Sequence, residues 1–275
     1  MQRWRGSRRK WGSHLAAKID GQGRRSYNST RMTDPDWVLA HFTLAANLTT
    51  LREECRFVRS EEALVARYQG LPFAALSFLG ESPTALADLA AQLVSAGESF
   101  YLLLNEQEAR VAQQAFAVEQ VHSEWQMLFA DDPTALDPSG AVLLGPDDLD
   151  QMQGLAAETG LMALEADPFR HGPAFGIWDQ ERLVAMGGTH LRVPGAVEIG
   201  NIATRTTYRR RGYARQVVAA LVQAHVAAGQ RVFLMVFQTN QAAVQLYEEL
   251  GFVRLRPMFL LRCRLGAPGG SKSDS

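Results

Sequence analysis

Hydrophobic and polar residues alternate along this chain with two periods, one suited to strands and one to helices. Apolar runs at 63–68, 72–79 and 99–105 read as strands. Residues 35–48 place Trp37, Val38, His41, Phe42 and Leu44 on one side of a short helix. Glu81-Ser82-Pro83-Thr84 opens a second helix through 94, residues 106–119 form a third, and 120–130 is aromatic and extended. These elements predict a small α/β unit over 34–132. The polar, turn-forming stretch 131–140 then marks a boundary.

A second unit is expected over 139–265. It begins with a strand at 141–144, a cap at Gly145-Pro146-Asp147-Asp148 and a helix at 149–159. Strands at 174–178 and 183–191 flank the polar turn Asp179-Gln180-Glu181-Arg182. An apolar strand at 197–204 leads through Arg209-Arg210-Arg211-Gly212-Tyr213-Ala214 into an amphipathic helix at 213–228. A strand at 231–237, a helix ending at Tyr247-Glu248-Glu249-Leu250-Gly251-Phe252 and a terminal strand pair near Leu265 complete the unit.

The junction at 209–214 carries the strongest chemical signal. A strand that hands over to a helix leaves backbone N–H groups pointing outward at the positive end of the helix dipole. Gly212 lets the main chain approach an anion, Ala214 keeps the helix start uncrowded, and three arginines raise the local potential. That is a site for a pyrophosphate.

In their order and spacing, this junction and the segment Asn240-Gln241-Ala242-Ala243-Val244-Gln245-Leu246-Tyr247-Glu248-Glu249-Leu250-Gly251-Phe252 resemble the GNAT superfamily of acyl-CoA-dependent N-acyltransferases. The resemblance covers about 139–265. It implies an α/β (α+β) GNAT fold, with a mixed central sheet flanked by helices, preceded here by a smaller α/β domain. As in proteins like glycine N-acyltransferase, that first domain would be a degenerate copy of the fold.

The same resemblance implies transfer of an acyl group, most simply acetyl from acetyl-CoA, to an amine by direct attack. The acceptor would be a small amine, an amino acid or a protein N-terminus. Glu198 corresponds to the family's catalytic base, and Tyr247 to the general acid that returns a proton to the thiolate. Simpler alternatives are a solvent-facing Glu198, or one paired with Arg205 or Arg209, and a Tyr247 that only packs. Coenzyme contacts would come from Ile202, Ala203 and Thr204, then Arg209, Arg210, Arg211, Gly212, Tyr213, Ala214 and Arg215, then Asn240, Ala243 and Tyr247. Thr206 stands where many members have proline, which bears on loop rigidity. His171, next to Gly172-Pro173, and His190 could line an acceptor pocket, while His225 reads as structural. A non-catalytic acyl-CoA-binding or regulatory protein is the alternative function; the presence of both Glu198 and Tyr247 favours the enzyme.

Composition narrows the picture further. A chain of 275 residues, 47% apolar, with mean hydropathy −0.13, is neither disordered nor built for the bilayer. Cys55 and Cys263 supply no disulfide framework, which suits the cytoplasm. No metal-ligand cluster, Ser-His-Asp order or Walker lysine is present, so no metal is expected. Three lysines against 25 arginines point to a GC-rich, bacterial-like genome.

Charge is uneven. Residues 1–31 hold nine Lys or Arg and one acid, and the rest of the chain is net acidic, which suits a cationic acceptor. Residues 1–33 read as a disordered basic extension, Met32 resembling a natural N-terminus. Contact with nucleic acid or a transit peptide is the alternative, and nothing else in the chain supports a nucleic-acid or membrane partner. Residues 266–275 read as a disordered tail. The strand at 259–265, mixing Leu and Arg, suggests a homodimer paired across a two-fold axis.

Overall fold

The computed structural model describes residues 31–161 and 164–266. The expectations for residues 1–30 and 267–275 fall outside them. Asp34 caps α1 (Pro35–Ala40), its carboxylate accepting from Asp36 N at 3.0 Å, with Pro35 preset for the first turn. The single helix expected at 35–48 is broken at His41 (φ −124°), where α2 (Phe42–Leu48) begins. Both pieces bury Val38, Leu39, Phe42, Ala45 and Ala46 against the sheet.

Strand β1 (Cys55–Arg59) had no clear signal in the sequence, because its exposed Arg56 and Arg59 blunt the apolar pattern of an edge strand. Then come β2 (Ala63–Tyr68), β3 (Ala74–Gly80), α3 (Pro83–Ala90) and β4 (Ser99–Asn105). Asn105 and Glu108 form a reciprocal capping box at the start of α4 (Glu106–Ala115). That helix ends four residues earlier than the expected 119. Phe116 turns extended (φ −131°, ψ 153°) to set its ring edge-on against Phe100, and β5 (Ala117–Phe129) follows.

The second half runs β6 (Val142–Leu144), α5 (Leu149–Thr159), β7 (Ala174–Asp179), β8 (Arg182–Val193), β9 (Ala196–Thr204), α6 (Tyr213–Ala227), β10 (Arg231–Phe237), α7 (Gln241–Glu249) and β11 (Phe252–Arg264). The expected terminal strand pair is one 13-residue strand. Pro257 is accommodated just past a bulge between Arg254 and Arg256.

Among the described residues, all eleven strands join one sheet, ordered β1-β2-β3-β4-β11-β5-β10-β9-β8-β7-β6. The succession β3-α3-β4-α4-β5 repeats as β9-α6-β10-α7-β11, with parallel pairs β3–β4 and β9–β10. Each repeat gives its last strand to the other: β5 pairs with β10 and β11 with β4, and the two exchanged strands pair together from Phe252↔Phe129 to Arg264↔Ala117. The stretches on either side of 131–140 therefore share one interlocked sheet. The strand expected to pair across a dimer axis is covered on both sides by β4 and β5 and has no free edge.

Strand alternation sorts the layers. Leu102 and Leu104 face α3 and α4, and Val232, Leu234 and Met127 face α6 and α7. Leu103, Phe233 and Leu128 face α1 and α2 on the opposite side, where α5 also packs on Met186 and Ala203. No helix among the described residues is long and apolar enough to cross a membrane.

Candidate active site

The site begins where two strands part. β9 and β10 pair only at Arg231↔Ala196, Val232↔Val197 and Phe233↔Glu198. Beyond that point β9 stays with β8 and β10 with β5, so backbone groups along 199–204 and 234–237 face a gap. Asn201, at φ 54°, is the extra residue of a bulge on β9, and His190 is the extra residue of a bulge on β8. Bulges bend a strand and re-aim side chains, and both of these lie beside the parting point.

Val197 and Ile199 point into the α6 core, so Glu198 faces the α1, α2 and α5 side, with only 5% of its surface exposed. Its Oε1 lies 3.3 Å from His190 Nδ1. Burial opposes charge on His190, but the surrounding carboxylates, Glu198 foremost with Glu165 and Glu124 behind it, together outweigh burial and raise the imidazole pKa. The simpler alternatives for Glu198 do not hold. Arg205 pairs with Glu158 and donates from Nε to Leu183 O at 2.8 Å, while Arg209 Nε donates to Thr204 O at 3.3 Å.

The repeat in the first half parts at the same place, its parallel pairing ending at Leu76↔Leu102. There α2 fills the space: Asn47 Nδ2 donates to Ser77 Oγ at 2.9 Å and Thr43 Oγ1 to Leu103 O at 3.4 Å. Glu81-Ser82-Pro83 replaces the arginine loop ahead of α3, with Ser82 as its cap.

At the C-terminal end of β9, residues 206–208 make a 3₁₀ turn and Arg210 takes φ 66°. Arg211 lies 4.9 Å over the Tyr208 ring and reaches Thr207 O at 3.4 Å, while Tyr208 donates to Asp179 at 2.7 Å. Gly212 (φ 83°) starts α6 without a side-chain cap, and nothing lies within 4 Å of where its Cβ would stand. The first N–H groups of this four-turn helix, from Tyr213, Ala214 and Arg215, therefore open onto free space. Arg215 is held aside by Glu249. Ile202 packs against Gly187, and Ala203 is buried under α5. Thr204 Oγ1 is buried without a partner.

On the far side of the gap, Asn240 Oδ1 caps α7 by accepting from Ala243 N at 3.3 Å. Tyr247 is 7% exposed and packs beside Phe252, and its phenol has no hydrogen-bond partner among the described residues. Burial lifts its pKa to about 12, so the hydroxyl keeps its proton at neutral pH.

On the Glu198 face the loop before β7 brings Glu165 and His171 close, at 3.6 Å. Arg170 ties this loop to the first half through Glu54 and Tyr68, and Tyr68 donates to Glu165 at 3.2 Å. A cleft of about 450 Å³ lies between Thr50, Arg170, His171 and Arg192. His225 has both ring nitrogens engaged, with Thr189 and Gln230 at 2.8 Å. Glu124, Asn201 and the pairing of His190 were not foreseen from the sequence.

The donor set fits a coenzyme. Uncapped amides beside an open glycine suit a pyrophosphate, unpaired strand edges suit an amide-bearing arm, and the orphaned Thr204 hydroxyl awaits an acceptor or donor.

Residues 174–259 match the family described as FR47-like protein. An uncharacterized N-acetyltransferase of Bacillus subtilis, YobR, is 34% identical over 79 residues, spanning 28% of this chain and 32% of that relative. The chain thus matches about a third of the length of that curated relative. A GNAT-family protein of Novosphingobium aromaticivorans superposes with TM-score 0.65 at 26% identity, covering 83% of this chain and 99% of the other. A GCN5-related N-acetyltransferase of Kribbella flavida gives 0.59 at 15% identity, over 83% and 96%. A tandem GNAT protein of the clavulanic acid pathway gives 0.56 at 11%, over 90% and 97%. Residues 174–259 thus match an FR47-like, GNAT-related domain, and the chain shares the fold of GNAT-family acetyltransferases.

Proposed function

We propose that the chain is an acyl-CoA-dependent N-acyltransferase, transferring acetyl from acetyl-CoA to a primary amine by direct attack. The observation that carries this reading is the parting of β9 from β10 at Phe233↔Glu198, directly ahead of the uncapped, glycine-started helix α6. Acetyl-CoA supplies an activated thioester carbonyl. The amides of Tyr213, Ala214 and Arg215 bind its pyrophosphate, with Arg209, Arg210 and Arg211 adding positive charge. The β9 edge at Ile202, Ala203 and Thr204 pairs with its arm, beside Asn240 and Ala243. The acceptor comes from the other face, where Glu198 and His190 meet.

The amine nitrogen bonds to the acyl carbon and the carbon–sulfur bond breaks. Starting from an ammonium ion, one proton goes to Glu198, directly or through a water, and the other reaches the departing thiolate by way of Tyr247. A base positioned in this way contributes roughly 10²- to 10⁴-fold to the rate. Free-thiol release with acetyl-CoA and a panel of amines tests the assignment. Glu198→Gln should lower kcat about 100-fold or more while acetyl-CoA binding persists; unchanged turnover would remove Glu198 from the chemistry. The acidic, cysteine-poor body fits a cytoplasmic enzyme acting on a small amine, amino acid or protein N-terminus.

A further inference from the structure

We propose that Glu124, carried into the site on the strand that the first half contributes, forms with Glu198 an anionic slot that selects an acceptor arriving as a primary alkylammonium ion. The proposal rests on the acyltransferase reading and adds a substrate class and a role for the first half of the chain.

Position comes first. Glu124 stands opposite Phe237 in the β5–β10 ladder. Met127 faces the α6 core, and Gln126 faces α1, donating from Nε2 to Leu39 O at 2.8 Å. Alternation therefore puts Glu124 on the same face as Glu198. It lies four residues along β10 from Phe233, beside the stretch where β10 has left β9.

Its surroundings are those of a carboxyl without a structural partner. Glu124 is 7% exposed, and its side chain makes no hydrogen bond or ion pair among the described residues. A buried carboxylate in that situation is unfavourable, so a fold with no use for it would be better served by an apolar residue. Across from it on β10 and β11 stand Phe237 and Met258, both apolar. The charged groups that act on it are Glu198 on β9 and His190 on β8; His122, on its own strand, turns to the Phe237 ring. Burial, then repulsion from Glu198, raises its pKa to about 7 against a smaller opposing effect of His190. Glu198 is paired with His190, and Glu165, the other carboxylate that acts on His190, lies against Arg170, so ionised Glu124 adds one negative charge with no partner, which matches one monocation.

The test uses the full chain and two kinds of readout. Acceptor kinetics compare n-butylamine and 1,4-diaminobutane with the zwitterions glycine and β-alanine, for wild type and Glu124→Gln. The cationic amines should be the better substrates, and the variant should raise their KM about tenfold with kcat within twofold. Carbon NMR of glutamate-labelled protein should show one carboxyl titrating near neutrality, absent from Glu124→Gln, whose midpoint falls by at least one pH unit when n-butylamine is added. Preference for the zwitterions, an unchanged KM, or a midpoint indifferent to n-butylamine would overturn the proposal. Calorimetric binding of acetyl-CoA, run on the same samples, separates the two failures: its absence from wild type sinks the acyltransferase reading, whereas intact binding with an indifferent Glu124 sinks the slot alone.

Discussion

His190 Nδ1 stands 3.3 Å from Glu198 Oε1 because β8 carries one residue more than β9 at this point, turning the imidazole toward the carboxylate. The pairing raises the imidazole pKa above its ordinary value of 6.5. A group whose pKa is raised by folding contributes stability that is fully present below its unfolded pKa. That contribution is lost as pH climbs through the folded value. His190→Gln should therefore lower the melting temperature relative to wild type at pH 6, with the gap closing at higher pH. Thermal melts across pH 5.5–9 check this, and a gap that widens upward would contradict the ion pair.

Tyr247 tests the proton donor. With its phenol unpartnered and its ring packed beside Phe252, Tyr247→Phe removes one oxygen and little packing. Melting should shift by no more than the equivalent of about 1 kcal/mol, and acetyl-CoA affinity should hold. Thiol release should fall about tenfold or more. Full turnover in the variant would leave Tyr247 a packing residue.

Gly251 serves the fold. It sits at φ 89° between α7 and β11, and an added Cβ would come within 2.5 Å of the Asp131 Cβ. Gly251→Ala should cost about 1–3 kcal/mol through backbone strain and displacement of that chain. Denaturant unfolding measures it; a loss below about 0.5 kcal/mol would show that the turn relaxes freely.

Strand exchange predicts that the halves do not fold apart. A fragment of residues 139–275 would leave β10 without β5 and β11 without either partner, exposing long apolar edges. It should be insoluble or unfolded, whereas the full chain should melt in a single transition. A soluble, cooperatively folded fragment would contradict the interlocked sheet.

Local chemistry explains what could be read ahead of the structure. Strands at 99–105 and 231–237 and the helix at 149–159 appear with those bounds because alternation, the Asn105 cap and the left-handed Gly160 terminus are written within a few residues. The α6 junction was legible for the same reason, its glycine and arginines being contiguous. Partner choice was not: nothing within 117–129 or 252–264 says that these strands cross to the opposite repeat, since their neighbours lie more than 100 residues away. Glu124 was invisible on that account. It is one acid in a half-exposed strand until β5 is set against β10. His190 was singled out as a residue, but its partner depended on a bulge whose extra position no local residue announces.

Calorimetric titration of acetyl-CoA into wild type, Gly212→Ala and Gly212→Glu, with dephospho-CoA and ATP alongside, bears most directly on the coenzyme site. The alanine variant isolates the strain of a side chain at φ 83°, and glutamate adds negative charge where the pyrophosphate would sit. A coenzyme site at the start of α6 should give micromolar binding of one equivalent per chain, α2 having closed the corresponding gap in the first repeat. Binding should weaken modestly in Gly212→Ala and vanish in Gly212→Glu. No binding to wild type, or equal binding to all three proteins, would contradict it.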